Sequence, residues 1–351
     1  MLSWAIASLT RPLVLSKRNK SSWKKDAPLS VSDRNDSDIA KLWNDNAKLD
    51  AGTFVSPLGG LNRGCIARIA HDTVVKRTTE FTVSSALTMQ LVRRVTSIPV
   101  PRCDRFIDRH SDAADDGVAM LVMEYIEGSV LADVWSDLSL WMKFRVGVTV
   151  WHYIYQLRSF SRRHRPHRSG PLGDDEPCRG RYFPDVGAGP FATYKEMTDW
   201  FNNRLLLIRR FHKKALNTAP FDGRSPLVLT HMDLHLRNLI LGKDGQLWVI
   251  DWAEAGFYPE WFEGANMEEY AELRQYPASW TRLIPWMAGR SDRPGQRPFV
   301  DDVRWALVVP PPVVMNLVIT YHLPPSVGIA SKYQCSSWIW TEEASDPSLL
   351  S

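Results

Sequence analysis

The stretch Leu229–Asp251, LTHMDLHLRNLILGKDGQLWVID, confines the chain more tightly than any other part of it. PLVLTH reads as a short strand ending at His231, and LILGKDGQLWVID reads as a hairpin turned at Asp244-Gly245. The loop MDLHLRN joins them. Asp233 then sits on the loop, Asn238 opens one hairpin strand and Asp251 closes the other. Hairpin strands return side by side, so Asn238 and Asp251 come near each other. Carboxylates and an amide are poor core material and need either solvent or a cation. Two oxygen ligands beside a third carboxylate suit Mg²⁺, which takes few protein ligands and completes its shell with phosphate oxygens and water.

The surrounding sequence supplies a scaffold. SDIAKLWND predicts a helix with Ser37 as its N-cap and Ile39, Leu42 and Trp43 apolar. GCIARIAHDTVVKR predicts a hairpin broken at His71-Asp72. SSALTMQLVRRV predicts a helix capped by Ser84 or Ser85, with Ala86, Met89 and Val92 on one face. RCDRFID and AMLVMEYIEG read as a second strand pair. Residues 139–164 predict a long amphipathic helix carrying Leu140, Phe144, Val148, Trp151 and Tyr155 in register. A Pro/Gly-rich loop follows over 162–190, then a helix in ATYKEMTDWFNNRLLLIRRFHKKAL. The order is a β-rich part with one helix, then a helical part whose only β-structure is the opening stretch, with a hinge near Gly128.

Composition sets outer limits. A 351-residue chain with 44% apolar and 23% charged residues has the makeup of a globular protein of two lobes. Net charge is +4, but six basic residues precede the first acid, Asp26, so the remainder is net acidic and argues against a nucleic-acid partner. Cys65, Cys103, Cys178 and Cys335 stand at no metal or redox spacing, as expected of a reduced, cytoplasmic setting. The basic, acid-free start is a loose match to a mitochondrial presequence, the alternative localisation. Prolines 310–312, 324 and 325 break the uncharged stretch 305–331, so no membrane span is expected. RSFSRRHRPHR is read as a solvated basic loop.

The set HMDLHLRN…VIDW, TVVKR, TSIPVP, LVMEYIEG and AGFYPEWFE resembles the aminoglycoside phosphotransferase-like kinases, fungal-type branch, over residues 40–290. That resemblance implies an α+β, two-lobed protein-kinase-like fold, with a small β-rich N-lobe at 38–127 and a mainly helical C-lobe at 128–305. An arm at 1–37, expected to be disordered, precedes them and a Pro-rich tail at 306–351 follows. It implies ATP and Mg²⁺ as cofactors, Asp233 as catalytic base or hydroxyl-orienting residue, and His231 as a brace. Asn238 and Asp251 would hold the metal, Lys76 would contact phosphate, and backbone groups of Glu124 and Ile126 would meet adenine. Lys76 read alone is a solvated strand-end lysine.

Two departures stand out. The helix after Lys76 carries Ser85 where the family places a glutamate partner for that lysine, with Glu80 five residues earlier. LGGLNRG (Gly59, Gly60, Gly64) is the only candidate phosphate-covering loop. The expected activity is transfer of the γ-phosphoryl group to a hydroxyl of a small molecule, with a nucleotide-binding pseudokinase or scaffold as the alternative. The expected state is a monomer without nucleic-acid or membrane partners. Glu254, Glu260, Glu263, Glu268 and Glu269, with the aromatics among them, could receive a cationic acceptor; an aromatic core with a solvated acidic edge is the plainer reading.

Overall fold

Asn35 begins the first helix of the described residues by accepting the Asp38 N–H at 2.8 Å, so α1 runs Asp36–Leu49 and the expected cap, Ser37, lies inside it. The computed structural model describes residues 31, 33–49, 66–78, 83–108, 111, 118–173, 176–184, 186–211, 218–289 and 296–308. Most of the N-terminal arm, the loop with Gly59, Gly60 and Gly64, Glu80 and the tail beyond Val308 lie outside the described residues.

Strands β1 (Ile66–Arg68), β2 (Thr73–Thr78), β3 (Cys103–Ile107) and β4 (Ala119–Glu124) form an antiparallel sheet in the order β1-β2-β4-β3. Both expected strand pairs are present. Alternation decides which side each residue serves. Val75 opposes Val122, and both pack with Ile39 and Trp43 of α1 in one core. Lys76 opposes Leu121, which belongs to the other core, the one shared with the hairpin. Helix α2 (Val83–Val95) buries Ala86, Met89 and Val92 as expected. Ser84 and Ser85 sit within its first turn, buried, and are not its caps.

The second part starts at β5 (Gly128–Val130), which pairs with the hairpin strand Leu239–Gly242 rather than with the first sheet. A Cβ on Gly128 would lie 2.4 Å from the Leu241 carbonyl oxygen, so only glycine allows this approach. After a short α3 (Leu131–Val134), Ser139 accepts the Met142 N–H at 3.3 Å and caps α4 (Leu140–His164). The limits match expectation, but the face does not. Val146, Val150, Ile154 and Leu157 are the core-facing stripe, whereas Leu140, Phe144 and Tyr155 are exposed. Tyr153 and Phe160 are buried on that side too, and of the five expected residues only Val148 is buried, with Trp151 partly so.

Next come α5 (Tyr194–Phe211), β6 (Leu227–Thr230), β7 (Leu239–Gly242), β8 (Leu247–Val249) and β9 (Gly256–Pro259). Strands β5-β7-β8 make one sheet and β6-β9 another. Strands β5 and β9 correct the expectation that the opening stretch held all the β-structure of this half. Helices α6 (Phe262–Leu273), α7 (Ala278–Thr281), α8 (Ile284–Ala288) and α9 (Gln296–Val308) complete the described chain. Phe201, Phe221, Phe262 and Phe299 form an aromatic core between α5, α6 and α9. The result is an α+β protein with an antiparallel sheet first and a helical part second.

Candidate functional site

Backbone bonds fix the hairpin before any functional side chain is placed. The Gly245 N–H donates to the Gly242 carbonyl at 2.9 Å, and Gly245 adopts φ +77°, as an Asp-Gly hairpin turn requires. The Val249 N–H donates to the Pro99 carbonyl at 2.9 Å, tying the hairpin to the extended IPVP segment. Ile250 then donates to the Asn238 carbonyl at 3.0 Å, which sets Asn238 beside the residue preceding Asp251.

The catalytic-loop candidates are held from several sides. Asn238 Nδ2 donates to Asp233 Oδ2 at 2.6 Å and to the Asp233 carbonyl at 2.8 Å, leaving its Oδ1 as the atom able to bind a cation. The Asp233 N–H donates to His231 Nδ1 at 3.2 Å, so the imidazole proton lies on Nε2, which donates to the Ile250 carbonyl at 3.0 Å. Burial lowers the pKa of His231 and keeps this neutral tautomer. Trp252 covers the ring, with centroids 4.5 Å apart. Met232, between His231 and Asp233, takes the left-handed conformation at φ +66°, and Asp251 does the same at φ +66°. Such conformations persist where surroundings over-determine them.

Asp233 Oδ1 faces His235 Nε2 at 3.2 Å without the alignment of a hydrogen bond. Burial pushes the Asp233 carboxyl up, but His235, His231 and Tyr270 act the other way and hold it below its ordinary range. Across the cleft, Lys76 Nζ donates to Asp251 Oδ1 at 2.7 Å and Oδ2 at 2.8 Å. The lysine side chain is 17% exposed and the aspartate 31%. Lys76 and Asp251, Asp251's neighbour Ile250 and Asn238, and Asn238 and Asp233 thus form one connected set drawn from β2, the loop and the hairpin. Glu124 ends β4, where its Oε2 accepts the Arg102 N–H at 3.0 Å, and Ile126 follows in the link to β5. Ser85 is buried, and its Oγ has no hydrogen-bond partner.

Sequence reasoning placed Glu263 on a solvated acidic edge, and that is incorrect. Glu263 is buried in the first turn of α6, where Oε2 accepts the His231 N–H at 2.6 Å. Burial pushes its carboxyl up to about 7. Glu269 is also buried and pairs with Arg181, at 2.5 Å, and with Arg304. Glu260 takes Arg158 and Arg162. These acids are committed to internal pairs. His235 and Tyr270, rings 4.7 Å apart beside Asp233, also escaped notice. His235 was visible within HMDLHLRN; Tyr270 carried no local signal.

A connected Asp-Asn-Asp-Lys set thus lies where the antiparallel sheet meets the hairpin of the helical part. The chain belongs to the phosphotransferase enzyme family, which matches residues 59–270, more than half of its length. Among solved structures, it is similar to aminoglycoside phosphotransferase APH(4)-Ia in a thermostable apo form, at 15% identity over 67% of this chain and 84% of that one, TM-score 0.40. A ternary complex of that enzyme with AMP-PNP and hygromycin B shows 16% identity over 67% and 83%, TM-score 0.39. The GDP and kanamycin complex of APH(2")-IIIa shows 14% identity over 68% and 76%, TM-score 0.39. No curated protein matches the chain.

Proposed function

We propose that the chain is an ATP- and Mg²⁺-dependent phosphotransferase that moves the γ-phosphoryl group to a hydroxyl of a small molecule. The observation that carries this reading is the connected set Lys76–Asp251 and Asn238–Asp233, which brings an amine, an amide and two carboxylates from β2, the loop and the hairpin together. Asn238 Oδ1 and the Asp251 carboxylate are hard oxygen donors of the kind Mg²⁺ prefers, and they would hold it. Bound there, the metal would offset the charge of the transferring phosphate.

Asp233 aims the acceptor. Its Oδ2 accepts from Asn238, while Oδ1, which faces His235 Nε2 at 3.2 Å, is the oxygen that would turn to an incoming hydroxyl. Held below its ordinary pKa, it serves to orient that hydroxyl more than to remove its proton early. Lys76 moves from Asp251 to the phosphates once nucleotide enters, and backbone groups at Glu124 and Ile126 face adenine. Positioning and electrostatics supply most of the rate. Family membership supports the reaction class, and the acceptor is a small hydroxyl compound.

The rival reading, a nucleotide-binding pseudokinase, draws on Ser85, a buried serine where a glutamate partner for Lys76 is expected. Calorimetry with Mg-ATP, followed by ATP turnover across amino sugars, choline-like amines and hydroxy-amino acids, separates the two. Binding with acceptor-dependent turnover supports the enzyme. Binding with no turnover on any acceptor, and none after Ser85→Glu, supports the pseudokinase.

A further inference from the structure

The outward face of α4 carries an aromatic ladder that the phosphotransferase reading does not use. Trp141 stacks on Phe144 at 5.7 Å, Phe144 on Trp286 of α8 at 6.2 Å, Trp286 on Trp151 at 6.1 Å, and Trp151 on Tyr155 at 5.9 Å. Leu140 extends the ladder and is 81% exposed; Trp141 is 58% exposed. The opposite face of the same helix packs on the catalytic half: Tyr153 donates to the Leu247 carbonyl, and Ser161 accepts the Leu229 N–H. So contiguous an exposed apolar strip marks an interaction surface.

Charge identifies what the surface fits. No Asp or Glu occurs from Leu138 to Gly173 or from Tyr276 to Gly289, the two segments that build the ladder. They hold eight basic side chains, of which Arg158 and Arg162 pair with Glu260 and Lys143 donates to the Ser136 carbonyl, while Arg163 and Arg165 are exposed at the end of α4. The partner is therefore anionic and presents apolar matter. A second copy docking by two-fold symmetry would set basic residues against basic residues. Single-stranded nucleic acid needs open ring faces for its bases. Here the faces are occupied by mutual stacking at 24–29°, and the most exposed apolar group is an aliphatic leucine.

We infer that α4 docks the protein on an anionic lipid surface, with Leu140, Trp141, Phe144 and Trp286 entering the headgroup boundary and the arginines meeting the headgroups. Aromatic and leucine side chains on one helical face, with basic residues beside them, are the makeup of interfacial helices. No helix among the described residues is long and apolar enough to cross a membrane, so the attachment is peripheral.

The test is co-sedimentation of the full chain with vesicles of phosphatidylcholine alone, or with about 30% phosphatidylserine, at about 0.1 M salt. Binding to the acidic vesicles is expected, falling more than tenfold in Trp141→Gln/Phe144→Gln with the circular dichroism unchanged. Each of Arg163→Gln and Arg165→Gln should weaken it about fivefold, and these carry the test if the double variant fails to fold. Absence of binding to acidic vesicles overturns the inference, as does binding that neither set of variants weakens. A dimer in sedimentation velocity that Trp141→Gln/Phe144→Gln dissolves assigns the ladder to a second copy. Oligonucleotide binding lost in that variant, without vesicle binding, assigns it to nucleic acid.

Discussion

The loop around Asp233 and the inner strand that carries Lys76 meet at one site but are built to different standards. The loop residues are braced from within: His231 by Ile250, Glu263 and Trp252, and Asn238 by two bonds to Asp233. Lys76 and Asp251 share a half-open ion pair. On the proposed function, the acceptor side would be set before substrate arrives, while the nucleotide side would exchange one internal contact for a ligand. Preorganisation would then lie where a hydroxyl must be aimed, and adaptability where a flexible triphosphate must be gripped.

Four variants can break or sharpen this contrast. Asp233→Asn, on the braced side, should lower phosphoryl transfer about 10²–10⁴-fold with nucleotide affinity nearly unchanged; a loss of twofold or less in a turnover assay would remove Asp233 from its role. Glu263 comes next. Its folded pKa of about 7 exceeds the ordinary 4.5, so the folded protein keeps this proton longer than the unfolded chain. The stability it contributes is complete below about 4.5 and is lost as pH rises through 7. Glu263→Gln keeps an acceptor for the His231 N–H and removes that slope, a relative gain of roughly 3 kcal/mol between the two ends of the window. Urea unfolding across that range reads it directly, and parallel profiles for variant and wild type would refute it.

Gly128→Ala tests the joint between the two regions. Its Cβ would meet the Leu241 carbonyl at 2.4 Å, backbone that cannot step aside, so a cost of about 1–3 kcal/mol is expected in the denaturation midpoint. The smallest effect on stability belongs to Lys76→Met. A partly exposed pair contributes about 0.2–1 kcal/mol, while calorimetry should show Mg-ATP affinity reduced at least tenfold. A loss of stability equal to that of Gly128→Ala would mean the lysine side is as rigid as the loop, and the contrast would fall.

Much of this arrangement was legible because it is local. The Asp-Gly turn, the two strand pairs of the first sheet and the ends of α4 each follow from neighbouring residues. The buried face of α4 was misread because aromatics at helical spacing outweigh Val146, Val150, Ile154 and Leu157 in any apolar count, although those four mark a second stripe. Strand β9 was missed because its partner, β6, lies across the intervening loop and hairpin. Glu263 was grouped with its acidic neighbours, since nothing within its own helix distinguishes a brace from a solvated acid. Its partner is 32 residues away.

The burial of Glu263 beneath the loop has a further consequence. Its carboxyl takes the His231 N–H at 2.6 Å and is also stabilised by the next amide, that of Met232. Paired amides of this kind form a cradle that elsewhere captures a phosphate. In this protein Glu263 fills that cradle from the interior. On the proposed function, selectivity for the phosphate donor would then be written in the sheet, and mutations that retune it should be sought there.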